Sequence, residues 1–124
     1  MKFLSKYLCV FLMLFSFISK AQLTDEQTLK IDSLKELISS EKHDTIKINA
    51  IYAWRNIIYA SDPELDLELN QQIVDLCETN FKNELNELEL KKFKKSFGNS
   101  YNNIGIIYYN QGNCTQQKIA EMGP

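Results

Sequence analysis

Nucleophilic chemistry in this chain would have to come from one histidine, His43, and three cysteines, Cys9, Cys77 and Cys114. A thiol becomes a useful nucleophile when an imidazole lies within hydrogen-bond reach, so His43 would have to meet Cys77 or Cys114. His43 ends the polar connector Ser40-Glu41-Lys42-His43 and reads as a solvated loop residue. Cys77 lies in an apolar helical pattern and reads as a small buried side chain. One histidine and distant cysteines do not make a zinc set. The four glycines are scattered between positions 98 and 123, so there is no phosphate-cradling loop. Glu84, Glu87 and Glu89 read as the exposed start of a helix, where acidic groups suit the positive end of the helix dipole. Asn113-Cys114-Thr115 fits the glycosylation acceptor pattern and is taken as chance. The expectation is a chain that is not an enzyme, with no catalytic residue, cofactor or metal assigned.

Before any fold begins there is a leader. Lys2 and Lys6 form a positive start, and residues 7–18 are an uncharged, mostly apolar run. Ser19-Lys20-Ala21 supplies small residues where a signal peptidase reads, so residues 1–21 are expected to be a signal peptide cut before Gln22. The alternative is an uncleaved membrane anchor, but the run of about 12 residues is shorter than the ~20 a spanning helix needs. An exported, periplasmic chain follows. Removing Lys2, Lys6 and Lys20 from the 14 basic residues leaves 11 against 16 acidic ones, a net charge of −5. That balance argues against nucleic acid and anionic membrane surfaces as partners. The basic run Lys91, Lys92, Lys94 and Lys95 is expected to be the solvated face of a helix. An exported chain can form disulfides, yet nothing in the spacing demands a bridge between Cys77 and Cys114.

The remaining sequence reads as all-α. Thr24 with Gln27 three residues later is a capping-box signature, and Leu23, Gln27, Ile31, Leu34 and Ile38 track one face of a helix over residues 25–39. Asp44 or Thr45 can cap the next helix, over residues 44–60. Its wide apolar surface of Ile48, Ile51, Tyr52, Trp54, Ile57 and Ile58 suits packing on two sides. Asp62-Pro63 marks a third start, with proline at the first helical position, and Leu65, Leu69, Ile73, Leu76 and Cys77 form the stripe of a helix over 63–79. A polar stretch, 78–84, precedes a long helix over residues 87–110, on which Leu90, Phe93, Phe97, Tyr101, Ile104 and Tyr108 recur every three or four residues. Gly98 inside it costs roughly 1 kcal/mol relative to alanine and is expected to bend it. Gly112 suits the positive-φ position after the helix end.

The stretch from Tyr101 to Asn113 resembles the first helix and closing turn of a tetratricopeptide (TPR) repeat, a helix–turn–helix unit normally of 34 residues. Tyr101, Ile104, Gly105 and Tyr108 fall at the family's large, large, small and aromatic positions. Gly105 would let a partner helix approach closely, and Gly112-Asn113 matches the turn into a second helix. The hairpin over 44–80 resembles a degenerate unit, because Trp54 sits where a small residue is expected, Asp66 where alanine is usual and Ile73 at the next small position. After Asn113 the pattern departs, with Gln117 in the place of alanine and Gly123-Pro124 at the end. The resemblance therefore implies an N-terminal helix and connector (22–43), a degenerate hairpin (44–80), a long helix carrying the first half of a second repeat (81–113) and an irregular tail (114–124). Without a second helix, Ile104, Ile107 and Tyr108 are expected to lack a partner. Repeat arrays need about three units for stability, so a truncated or frame-shifted reading frame is expected.

Residues from Gln22 to Asn113 are similar to the N-terminal region of bacterial exported TPR proteins, many of which continue into a membrane span and a signalling output. The resemblance implies a short α-solenoid that binds a protein or peptide without catalysis. In that family the first-helix side chains not used for packing line a concave groove. Carried over by position, these are Asn99, Asn102, Ile106, Tyr109 and Asn110, with Arg55 and Tyr59 as weaker counterparts in the first hairpin. Asparagine both donates and accepts, and tyrosine offers rigid amphipathic area, which suits an extended peptide. Self-association through the open second hairpin is a further expectation. The alternatives are a remnant with no binding role and, more distantly, a small exported enzyme.

Overall fold

Among the described residues, every helix start is set by a side chain that closes an otherwise open backbone N–H. The computed structural model describes residues 22–112, and the described residues form helices without strands: α1 (Asp25–Ser39), α2 (Asp44–Ile58), α3 (Pro63–Phe81) and α4 (Glu87–Asn110). Residues 1–21, expected to be a signal peptide and holding Cys9, and residues 113–124, with Asn113, Cys114 and Gln117, lie outside the described residues. Thr24 and Gln27 cap α1 reciprocally, at 3.1 and 3.0 Å. Asp62 accepts from the Leu65 N–H ahead of Pro63. Asn86 and Glu89 form a second capping box at the start of α4. The cap of α2 differs from expectation: His43, through Nδ1, accepts from the Thr45 N–H, and Asp44 is already the first helical residue.

The bounds of α1 and α4 are those expected, while α3 runs two residues further, to Phe81. Phe81 packs on the core and meets Phe97 edge-on at 5.4 Å. That contact carries helix into what reads as polar sequence. Gly98 leaves α4 unbroken over its 24 residues, about 36 Å at 1.5 Å per residue. Gly112 has φ +73°, the left-handed turn expected of it.

The helices pack in chain order: α1 on α2, α2 on α3 and α3 on α4, with α2 and α4 touching lightly. The core is the strip between them, built on Ile31, Ile48, Ile51, Ile58, Leu69, Ile73, Cys77 and Phe93. Trp54, too large for a tight helix crossing, is half-buried against this core and lies under the Lys35 ammonium of α1, 5.1 Å from the ring centre. A second cluster joins Val74 of α3 to Ile104 of α4, flanked by Leu67, Phe97, Tyr101 and Tyr108. Ile104 and Ile107 are buried, which corrects the expectation that they lack a partner. The reason is that α3 backs α4 far enough to meet Ile104 through Val74. Gly105, also expected at a close approach, is buried. No helix among the described residues is long and apolar enough to cross a membrane.

Candidate binding groove

Since α3 reverses the chain between them, α2 and α4 run parallel. Their shared seam begins where His43 meets Glu89 (3.4 Å) and Phe93. Midway, the Tyr52 hydroxyl donates to the Ser96 carbonyl at 3.1 Å and lies 3.3 Å from Ser100 Oγ. Two clefts open along this seam, one on each side of Tyr52. The first, of about 310 Å³, has Thr45, Asn49, Lys92, Lys95 and Asn99 on its walls. The second, of about 510 Å³, is walled by Arg55, Tyr59, Pro63, Asp66, Asn103, Ile106 and Asn110 among others. A larger cleft, about 660 Å³, lies between the end of α3 and the start of α4, with a floor of Phe81, Leu90 and Phe97. The charged Glu78, Lys82 and Lys94 also line it, but none of the binding residues named from the sequence does, so the seam is taken as the candidate site.

Four of the residues named from the sequence therefore converge on one cleft: Arg55, Tyr59, Ile106 and Asn110. Asn99 lies in the neighbouring one. Asn102 and Tyr109 line neither and are exposed. Helical geometry separates them: at 100° per residue, Asn99, Asn103, Ile106 and Asn110 share one stripe, while Asn102 and Tyr109 lie about 80° round the helix.

A polar chain that the sequence reading missed forms the floor of the second cleft. Asp66 is 3% exposed and Asn70 wholly buried. Arg55 Nε approaches Asp66 Oδ1 at 2.6 Å. The contact is one of charge, since the Nε–H is not aligned on an acceptor although the atom is buried. Asn70 donates to the Asp66 carbonyl at 2.8 Å and to Asp66 Oδ1 at 3.0 Å. Asn103 of α4 then donates to Asn70 Oδ1 at 3.1 Å. Three helices are tied by this chain. Burial pushes the Asp66 carboxyl above its ordinary value of 3.8, and the Arg55 charge offsets this only in part. Arg55 also lies over Tyr59, 5.9 Å from the ring centre. The signal for this floor was present in the sequence: Asp66 falls in step with Leu69, Ile73 and Cys77 on the buried stripe of α3, and a charge there needs a partner.

Other candidate chemistry is placed apart. His43 is held by Thr45 on Nδ1 and faces Glu89 with Nε2, so neither ring nitrogen is engaged with a cysteine. Cys77 is a free, buried thiol whose pKa burial and the neighbouring Glu78 charge push up to about 11. It is a packing residue, the opposite of an activated nucleophile. Among the described residues no cluster of histidine, cysteine or carboxylate side chains is placed to hold a metal. Lys92 and Lys95, expected on a solvated face, are exposed and wall the first cleft. Compared with protein-family models, curated proteins and solved structures, the chain has no match in any of the three.

Proposed function

We propose that the chain is a non-catalytic protein- or peptide-binding module of the TPR type, exported to the periplasm and serving an envelope sensory or signalling assembly. The partner is an extended protein segment lying along the α2–α4 seam. One observation carries this reading: Arg55, Tyr59, Ile106 and Asn110, far apart in sequence, surround a single cleft. Polar side chains there alternate with the exposed apolar groups Tyr59 and Ile106, the mixture that suits main-chain and side-chain recognition together.

Selection of a displayed random-peptide library on the full chain tests it. Selected peptides should lose about tenfold in affinity to a Tyr59→Ala, Asn110→Ala variant, the loss of one anchor and one hydrogen bond. An Asn102→Ala, Tyr109→Ala variant should bind within about twofold of the original, because those side chains lie off the seam. Peptides indifferent to the first variant would remove the groove as the binding site. Export is tested separately by N-terminal sequencing of the secreted chain, which should begin at Gln22.

A further inference from the structure

The second cleft has an unusual balance of polar groups. Its one described cation and its buried anion, Arg55 and Asp66, already face each other. A ligand carrying net charge meets a repulsive partner beside each attractive one, so the pair selects against both signs. What remains unused is paired donors and acceptors. Asp66 Oδ1 receives both Arg55 and Asn70, and no described side chain donates a hydrogen bond to Oδ2. The terminal nitrogens of Arg55 donate no hydrogen bond to a described residue. Asn103 uses its amide on Asn70, which leaves its carbonyl oxygen as a second acceptor in the lining of the same cleft as Asp66. Asn110, exposed on the same wall, brings one donor group and one acceptor.

We propose that this cleft recognises a neutral amide group, whose N–H groups donate to Asp66 Oδ2 and the Asn103 carbonyl while its oxygen accepts from Arg55. A carboxamide is the small neutral group that presents a donor and an acceptor side by side, at the spacing of a guanidinium–carboxylate pair. The floor is rigid because Asp66 and Asn70 are buried and bonded to each other, so the arrangement is formed before the ligand arrives. The Asp66 carboxylate is under-compensated in its burial, and a ligand donor on Oδ2 relieves that deficit. Ile106 and Tyr59 take the apolar part of the ligand. The inference rests on the seam being the binding groove, and names what its second cleft reads. The group is therefore a primary carboxamide, the side chain of glutamine or asparagine, because a trans main-chain peptide has a single N–H that points away from its C=O.

The test is an NMR titration of the full chain with four probes, the N-acetyl, N′-methylamide derivatives of glutamine, alanine, glutamate and lysine. The signals followed are the Asn103 and Asn110 side-chain amides and the Arg55 Nε–H. The glutamine probe should bind about fivefold tighter than the glutamate and lysine probes, the worth of one well-made hydrogen bond. The alanine probe, which carries the same main-chain amides without the carboxamide, should bind about fivefold more weakly than glutamine; equal binding would overturn the proposal. Asp66→Asn keeps the shape and removes the negative charge, so the glutamate probe should become the tighter ligand. Should that variant not fold, Asn110→Leu, at an exposed position, should weaken the glutamine probe about threefold and leave the lysine probe unchanged. Charged probes binding as tightly as glutamine to the original chain, no shift at the three signals, or a folded Asp66→Asn chain with unaltered preference each overturn the proposal. Selected peptides that still depend on Tyr59 and Asn110 in that event leave the groove standing and remove only its amide specificity.

Discussion

Replacing Arg55 with methionine should destabilise the chain strongly at neutral pH and hardly at all near pH 4. The substitution keeps the length of the side chain and its lie against Tyr59 while removing the charge beside Asp66. Asp66 is 3% exposed and the Arg55 side chain 18% exposed, so solvent screening does little to soften the loss. Asp66 then has two courses: to stay ionised with only Asn70 for support, or to take up a proton. Protonation sets the ceiling. At 1.36 kcal/mol per pH unit, holding a proton at pH 7 on a group that would ionise at 3.8 when unfolded costs about 4 kcal/mol. Ionisation with Asn70 still donating costs less than that, so we expect about 3 kcal/mol, a large share of the ~5–15 kcal/mol typical of a domain. The pH dependence has a definite sign. A carboxyl whose folded pKa is raised contributes stability fully below 3.8 and loses it as pH rises through the folded value. Removing Arg55 raises that folded value further, so variant and original should converge on acidification, to within about 1 kcal/mol at pH 4. Urea unfolding followed by circular dichroism at the two pH values measures both numbers. Arg55→Met combined with Asp66→Leu, which removes both charges, should recover most of the loss. A single-variant cost under about 1 kcal/mol at pH 7, or an equal cost at both pH values, would refute the account of a buried, dependent pair.

Two further outcomes are expected. Cys77 should resist iodoacetamide in the folded chain at pH 8 and react once urea unfolds it, with the labelled site read by peptide mass spectrometry; stability should fall as pH rises from 9.0 through about 11, because the folded thiol holds its proton more tightly than the unfolded one. Labelling of Cys77 at equal rates in both states would show that the core strip opens freely. Gly98→Ala should stabilise by about 0.5–1 kcal/mol, since a Cβ there meets nothing within 4 Å and the helix continues through it without interruption; a lowered thermal midpoint would mean that α4 needs glycine for a bend.

The helices were legible in the sequence because their signals are local. Thr24 with Gln27, Asp62 before Pro63 and Gly112 after the last apolar stripe each act within one turn of chain, and each is used as expected. His43 as the cap of α2 was less visible: an imidazole accepts a backbone N–H only in one tautomer and one orientation, and Glu89, 46 positions away, faces the other nitrogen. The groove was half legible. Arg55, Tyr59, Ile106 and Asn110 could be placed by position on a helix, whereas Asp66, Asn70 and Asn103 matter through contacts among three helices that no single periodicity contains. Asp66 stood out only as an ill-fitting residue, and its meaning depended on Arg55 lying across from it.

The order of packing, each helix on the one before it, has a consequence for how the chain comes into being. Nearly every contact closes over one connecting turn, so the loops that must be shut are short and the entropy lost in shutting them is small. Structure can then accrue in the direction of synthesis: α1 and α2 form a docking surface for α3, and α3 for α4, without waiting for a distant segment. The same arrangement makes α4 the last to be secured. The proposed groove exists only where α4 lies beside α2, so a partner that binds it would stabilise the docked α4 by mass action and act as a final fastening of the chain.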